Sequence, residues 1–424
     1  MATTYRNRSD RVRIESDGAT ILTFDFRTFL VTVAVVAIGL ISLYSATYDL
    51  GASSLFKSQL IYALVGFVVM LSVAFLPERW IRVACYPSYL LAILLLFALM
   101  VIGTEINGAR SWIVLGSVSL QPLEFAKIAA LMAAAFFISR EGRELTNWRD
   151  LGITAAIVGL PMLLILREDL GSATVFGTLL IGVLLWAGAD LFLLFALVAS
   201  VMVATLALWG TTAMYIALGL VLAGMVAFRR SVVMTAVGCA LSVVVGFTTP
   251  ILFQKLPEYQ RARIEVLFDR SHLDPQGYGY NLIQSMLAIG SGGVAGKGFL
   301  QGTQTQLSYV PEQYTDFIFC VTAEEFGFLG ATLVILLLTF LVWFAIDTAF
   351  RLRDRFESIV CFGIGVIFFY HMLVNIGMTM GLAPVVGIPL PFMSKGGSSL
   401  LVNMTMVGLL LNFYRFRTDI RRTG

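Results

Sequence analysis

The sequence predicts an all-α, polytopic integral membrane protein of about twelve transmembrane helices, and three observations carry that prediction. Of its 424 residues, 58% are hydrophobic and 13% charged, with a mean hydropathy of +0.87. Such a chain lacks the polar residues to cover a soluble globule. Apolar runs of about 17–25 residues, the length that crosses a bilayer as a helix, recur along it. Its Lys and Arg residues gather in alternate connections, which orients the spans.

Residues 1–27 are a polar, Arg-containing segment. The first span, 28–46, is too long for the apolar part of a signal peptide and is expected to stay as an anchor. Further spans are expected near 58–76, 86–103, 122–139, 151–167, 171–188, 191–209, 212–228, 232–250, 329–347, 358–380 and 396–413, so the membrane domain covers 28–413 and a polar tail covers 414–424. With the N-terminus cytoplasmic, nineteen of the 29 Lys and Arg residues face inward, in 6–27, 79–82, 140–149, 229–230, 351–355 and 415–422. The outer side holds Lys57, Arg110, Arg167, Lys395 and, in one long loop, Lys255, Arg261, Arg263, Arg270 and Lys297. Both termini are therefore expected in the cytoplasm.

The net charge of +3 reflects this insertion bias. No basic stripe interleaved with aromatics is present, which argues against a nucleic-acid partner. Cys85, Cys239, Cys320 and Cys361 have no paired spacing and are expected as packed thiols. The two histidines, His272 and His371, lie far apart without metal-ligand spacing, and no Ser-His-Asp arrangement is visible.

Two outer connections are long, 104–121 and 251–328, and long loops tend to carry function. Within the second, Leu282, Ile283, Met286, Leu287 and Ile289 form an apolar stripe opposite Asn281, Gln284 and Ser285. A helix lying on the outer leaflet and a helix packed on other helices both fit that pattern. The glycine-rich run 290–298 is not a phosphate loop: Ser291 stands where a P-loop needs Gly, and Gly298 where it needs Ser or Thr. No strand is predicted before it, so no nucleotide is expected; a flexible hinge or turn is the first reading, and backbone N–H contact to a phosphate the second.

Chemistry-bearing residues collect at the outer edge. Asp316 sits where the long loop runs into a span, and an acid at the lip of a bilayer is a functional candidate by default. Pro122 suits the first turn of a helix on which Glu124 and Lys127, three apart, share a face. Unpaired, each charge would cost roughly 2.5–3.5 kcal/mol at a helix centre, so an ion pair explains their coexistence. Asp169 lies in a tight turn, and Glu324 and Glu325 follow Asp316. Acids and cations on one face suit an anionic, lipid-linked substrate, with cations for phosphate and a carboxylate for proton abstraction.

An ordered set of motifs then resembles one family. The segments are Asn107-Gly108-Ala109-Arg110-Ser111-Trp112, Gln121-Pro122-Leu123-Glu124-Phe125-Ala126-Lys127, Asp169-Leu170-Gly171 and Gly302-Thr303-Gln304-Thr305-Gln306. Pro311-Glu312-Gln313-Tyr314-Thr315-Asp316-Phe317, Glu324-Glu325-Phe326-Gly327 and Pro389-Leu390-Pro391-Phe392-Met393-Ser394-Lys395-Gly396-Gly397-Ser398 complete it. Over roughly 25–415 they resemble, in family order, the SEDS (shape, elongation, division and sporulation) family, and its rod-shape branch more than its division branch.

The resemblance implies a peptidoglycan glycosyltransferase. It would polymerise lipid II, an undecaprenyl-pyrophosphate-linked disaccharide peptide, into β-1,4 glycan strands on the outer face of the cytoplasmic membrane during elongation. Implied partners are a class B penicillin-binding protein, the elongation machinery and membrane lipids. Asp316 would take the catalytic aspartate position, with Glu124 and Lys127 needed for activity. Candidates for substrate contact are Arg110, Trp112, Gln121, Arg261, Arg263, Glu312, Thr315 and Lys395. A divalent cation, Mg or Mn, is implied by the family's metal dependence, although no ligand set is legible.

Three features depart from the family pattern. Twelve spans stand against the usual ten, the excess being a hairpin near 190–230. Lys395 replaces an aromatic, and Leu123 a serine. Two other classes remain open: a lipid II flippase or transporter, which should show mid-membrane charges and internal repeats, and a non-catalytic scaffold for a penicillin-binding protein.

Overall fold

The computed structural model describes residues 24–48, 51, 53–106, 109–115, 118–166, 168–228, 231–256, 261–265, 279–307 and 309–415. The tails 1–23 and 416–424, and with them Arg167, Arg229, Arg230, Arg270 and His272, lie outside the described residues.

The fold is helical. In chain order come α1 (Phe26–Tyr48), α2 (Ser53–Ala74), α3 (Glu78–Ile102), the short strands β1 (Thr104–Ile106), β2 (Ala109–Leu115) and β3 (Val118–Leu120), then α4 (Pro122–Ile138), α5 (Trp148–Ile165) and α6 (Leu170–Trp186). They are followed by α7 (Leu191–Trp209), α8 (Thr211–Ala227), α9 (Val232–Gln254), α10 (Tyr280–Ser291), α11 (Thr303–Gln306), α12 (Ile318–Arg351), α13 (Arg355–Thr379) and α14 (Gly397–Tyr414). Among the described residues nine helices are long and apolar enough to cross a membrane, and α6 and α8 are shorter apolar helices. With α4 these match the spans expected from hydropathy, one for one.

Close approach of the helices depends on missing side chains, as expected where burial against lipid gives helices little reason to associate. A Cβ on Gly408 of α14 would lie 2.7 Å from Met70 O of α2, and one on Gly66 would lie 2.9 Å from Met404 Cγ. On α13, Gly363 admits Leu131 of α4 in the same way.

The connections sort into two sets at opposite ends of the bundle, as the charge pattern predicted. At one end Arg82 reaches Asp354 (2.8 Å), Arg355 donates to Arg143 O and Ala187 O, and Arg415 donates to Ala74 O. The other end carries the two long connections.

That second end is more structured than expected of loops. Residues 104–120 form a three-stranded antiparallel sheet in the order β1–β2–β3, with Thr104 opposite Trp112 and Val114 opposite Ser119. The β-branched and aromatic run Trp112-Ile113-Val114 favours that pairing.

In the second connection, α12 starts at Ile318, eleven residues before the expected span at 329, and breaks at Gly327 (φ 64°, ψ −162°). Only glycine adopts that backbone freely. The early start places Glu324 and Glu325 inside a buried helical segment. The glycine run 290–298 is docked there: Lys297 N and Gly298 N donate to Glu324 O and Glu325 O, while Phe328 N and Leu329 N donate to Gly293 O and Val294 O. It is thus a turn, docked as a clamp on the broken helix, and not a free hinge. The two readings of α10 are also resolved, because it packs on α12 and α13 through Leu282, Ser285 and Ala288, with Ser285 Oγ donating to Thr379 O.

The hairpin α7–α8 and α9 bury an apolar cluster of their own, centred on Phe192, Val203, Met214 and Met225. Ser200 and Ser242 share a hydrogen bond of 2.9 Å between α7 and α9. The hairpin expected as an addition thus forms a three-helix unit with α9, and α7 also joins the main core through Leu194.

Candidate active site

Asp316 lies in a tight turn, 311–317, just ahead of α12. Glu312 holds the turn with a left-handed backbone (φ 57°): its carbonyl accepts from Thr315 N and Phe317 N, and its carboxylate accepts from Thr315 Oγ1 at 2.8 Å. The side chain of Gln313 anchors the turn to Ala46 O of α1. Glu312 and Thr315, expected as substrate contacts, thus shape the turn that presents Asp316.

The segment 381–396, which joins α13 to α14, forms the facing wall. Asn375 Nδ2 of α13 donates both to Asp316 O (2.9 Å) and to Ile388 O (2.8 Å), tying wall and turn together. Lys395 N donates to Tyr314 O, and the Lys395 ammonium lies 6.0 Å from the centre of the Tyr314 ring. At the N-terminus of α6, Gly171 lets the wall in, since a Cβ there would sit 2.2 Å from Val386 O. Gln121 N, ahead of α4, donates to Ser398 Oγ at the start of α14.

Glu124 and Lys127 make the expected ion pair, 2.8 Å long, in the first two turns of α4. Both residues are 2% exposed. Lys127 Nζ also lies 3.0 Å from His371 Nε2, and Glu124 Oε2 is buried without a hydrogen-bond partner. Asp169 caps α6, its two oxygens accepting from Ser172 N and Ser172 Oγ.

Burial pushes the Asp316 carboxyl up to about 6, and the negative charge of Glu312 pushes the same way. Arg263 pulls against them, and Asp169 adds a further upward push. Asp169 is itself raised, chiefly by burial, with the Ser172 hydrogen bonds and Lys127 opposing. These charges act on one another, so Asp316, Glu312, Asp169, Arg263, Lys127 and Glu124 form one electrostatic group.

Not every expected contact joins it. Arg261 is exposed and paired with Glu265 at 2.8 Å, so of the two loop arginines it is Arg263 whose charge bears on Asp316. Trp112 lies on β2, half-buried. Arg110 is in the same strand, with its side chain outside the described residues. Lys297 is committed to Glu324 (2.7 Å), which also accepts from Gln304 N and from Thr305 N and Oγ1. Glu325 accepts from Ser45 Oγ.

Sequence reasoning missed His371, Asn375 and Gly387. His371 has no metal-ligand spacing, yet an ionisable residue inside an apolar span is itself a signal. Asn375 lies four residues on, hence on the same helical face.

Among the described residues no three His, Cys, Asp or Glu side chains come together as a metal site. Asp169 already accepts from Ser172 with both oxygens, and the Glu312 carboxylate accepts from Thr315 Oγ1. These residues do not fit a resident, protein-held divalent ion.

A family model described as cell cycle protein, covering FtsW, RodA and SpoVE, matches residues 23–215 and 209–419. The chain belongs to this family. Its SEDS-like motifs are thereby accounted for over nearly their whole span. Among relatives, the peptidoglycan glycosyltransferase MrdB of Escherichia coli strain K12 is 33% identical over 360 residues, covering 85% of each chain. The peptidoglycan glycosyltransferase RodA of Treponema pallidum is 33% identical, covering 92% of this chain and 97% of its own. Among solved structures, a chain from a peptidoglycan synthase complex that coordinates polymerization and crosslinking superposes with a TM-score of 0.69 at 26% identity, covering 92% of this chain and 98% of that one. The rod shape determining protein RodA of Thermus thermophilus gives 0.60 at 25%, covering 93% and 98%. The SEDS fold of this chain is a polytopic membrane bundle, as its composition required.

Proposed function

We propose that this chain is a peptidoglycan glycosyltransferase that polymerises lipid II at the outer face of the cytoplasmic membrane, with Asp316 as general base. One observation carries the assignment: a partly buried carboxylate, its pKa raised to about 6, is held among Glu312, Arg263 and Asp169 in a chain whose relatives bear that activity in their names. A base poised near the working pH abstracts a proton efficiently while remaining mostly ionised.

The acceptor sugar's 4-hydroxyl gives its proton to Asp316 as its oxygen attacks the anomeric carbon of the donor. A new C–O bond forms with inversion as the bond to the pyrophosphate breaks, and undecaprenyl pyrophosphate leaves with the electron pair. The leaving group is already a good one, so positioning, one base and charge stabilisation suffice. Arg263, Lys127 and Lys395 are the cations we assign to the pyrophosphate. Arg110, Trp112 and Gln121 belong to the same mouth of the fold and are assigned to the glycan or peptide.

A divalent cation would have to come with the pyrophosphate, because these residues offer no closed ligand set, and no step above depends on it. Both termini are assigned to the cytoplasm by the charge pattern, which puts Asp316 outside. A class B penicillin-binding protein is the expected partner, consistent with the likeness to a chain of a complex that joins polymerization to crosslinking.

The assignment is tested with purified protein and labelled lipid II, with and without the partner. Polymer formed without ATP supports it. Leaflet transfer without polymer would mean a flippase, and neither activity a scaffold.

A further inference from the structure

His371 lies on α13 and is 3% exposed, with no place in the mechanism so far. Its two ring nitrogens meet partners of opposite kind. Nδ1 is 3.1 Å from the carbonyl oxygen of Pro389, and Nε2 is 3.0 Å from Lys127 Nζ. A carbonyl only accepts, so Nδ1 must carry the hydrogen and donate it. Neutral imidazole then leaves Nε2 as an acceptor, the one form able to take a hydrogen from an ammonium. The chain thus fixes the tautomer through Pro389 and offers the resulting lone pair to Lys127.

Lys127 has three hydrogens to place. Glu124 Oε1 takes one at 2.8 Å and His371 Nε2 a second. Two fixed acceptors on a tetrahedral ammonium determine the direction of the third hydrogen. An ammonium on a four-carbon stem is otherwise a rotating point charge.

The same histidine touches the wall that faces Asp316: Pro389 follows Gly387 by two residues, and Asn375, one turn along α13, holds Ile388 O and Asp316 O.

Resting on the glycosyltransferase assignment above, we propose that His371 is a positioning residue which aims the third Lys127 N–H at the anionic pyrophosphate of the substrate, in register with Asp316. It touches no reacting atom; it acts through Lys127. The ion pair alone does not explain the arrangement, because Glu124 would neutralise Lys127 without any histidine.

Two nearly isosteric variants separate this role from a purely structural one. In His371→Gln the amide oxygen can stand near the Nε2 position and accept from Lys127, while the bond to Pro389 is lost. In His371→Asn the shorter amide can keep the Pro389 bond but leaves Lys127 without its second acceptor. Polymerisation of labelled lipid II by the full-length protein with its partner is measured for wild type, both variants, Lys127→Ala and the two double variants. Wild-type polymer and its loss in Asp316→Asn establish the assignment independently of His371.

The proposal predicts that Asn lowers kcat about tenfold or more, the size of a lost hydrogen bond to a charged group. Gln should stay within about threefold of wild type, since the charged hydrogen bond is kept. The Asn penalty should also vanish on the Lys127→Ala background, because the coupling runs through that ammonium. If Asn retains activity while Gln loses it, or the Asn penalty persists without Lys127, the Pro389 bond and packing are the whole role and the proposal fails. A variant that does not accumulate in the membrane is read through the other, whose kcat relative to wild type must fall on its stated side.

Discussion

Asp316 Oδ2 lies 3.5 Å from the point where a Cβ would stand on Gly387. The wall segment therefore runs within van der Waals reach of the proposed general base at position 387. The φ of Gly387 is 72°, a backbone that costs an L-residue about 1–2 kcal/mol. Gly387→Ala should fold and insert but polymerise at least about tenfold more slowly, through backbone strain that shifts the wall. Steady-state polymerisation with a membrane-accumulation control checks this, and wild-type turnover would contradict it.

The pH dependence follows from the position of Asp316 between its neighbours. As the proposed general base Asp316 must be ionised, and its pKa is raised to about 6, so kcat/KM should rise with pH through about 6 and level off above it. Glu312 raises this value and Arg263 lowers it. Glu312→Gln should therefore move the limb to lower pH, and Arg263→Met to higher pH. A pH–rate profile in which both variants leave the limb in place would remove the charges from the account.

The Glu124–Lys127 pair is buried, so removing one member strands the other. Lys127→Met should cost about 3–5 kcal/mol of stability, whereas the paired change Glu124→Gln with Lys127→Met should cost less despite altering more atoms. Thermal midpoints in one detergent compare the two. A double variant less stable than the single one would show that the pair itself is the stabilising element.

Gly327 breaks α12 where the glycine run docks. A Cβ there would meet Gly296 N at 2.2 Å. Gly327→Ala should release the clamp, exposing 290–306 to protease in the membrane-embedded protein, with a smaller effect for Lys297→Met. Unchanged protease resistance in Gly327→Ala would mean that the clamp tolerates a side chain.

The span count and the segregation of the connections were legible in the sequence because hydropathy and charge act residue by residue. The pairing of Glu124 with Lys127 was legible too, since helical spacing settles it. Its burial was not: that depends on α13, which brings His371 to Lys127 from 244 residues away. The docking of the glycine run was equally hidden, because it depends on backbone groups of Glu324 and Glu325 that no side-chain pattern encodes. Arg261 and Arg263 look alike in sequence, and only the fold gives one to Glu265 and sets the charge of the other against Asp316.

The most direct measurement is polymerisation of labelled lipid II by Asp316→Asn in the presence of its penicillin-binding partner. Asparagine keeps the size of the side chain and, through its unchanged backbone, the Asn375 bond to the residue 316 carbonyl, but it cannot hold the acceptor's proton. The account predicts a protein that accumulates in the membrane, binds lipid II and makes no glycan strand. Polymer at the wild-type rate would contradict it.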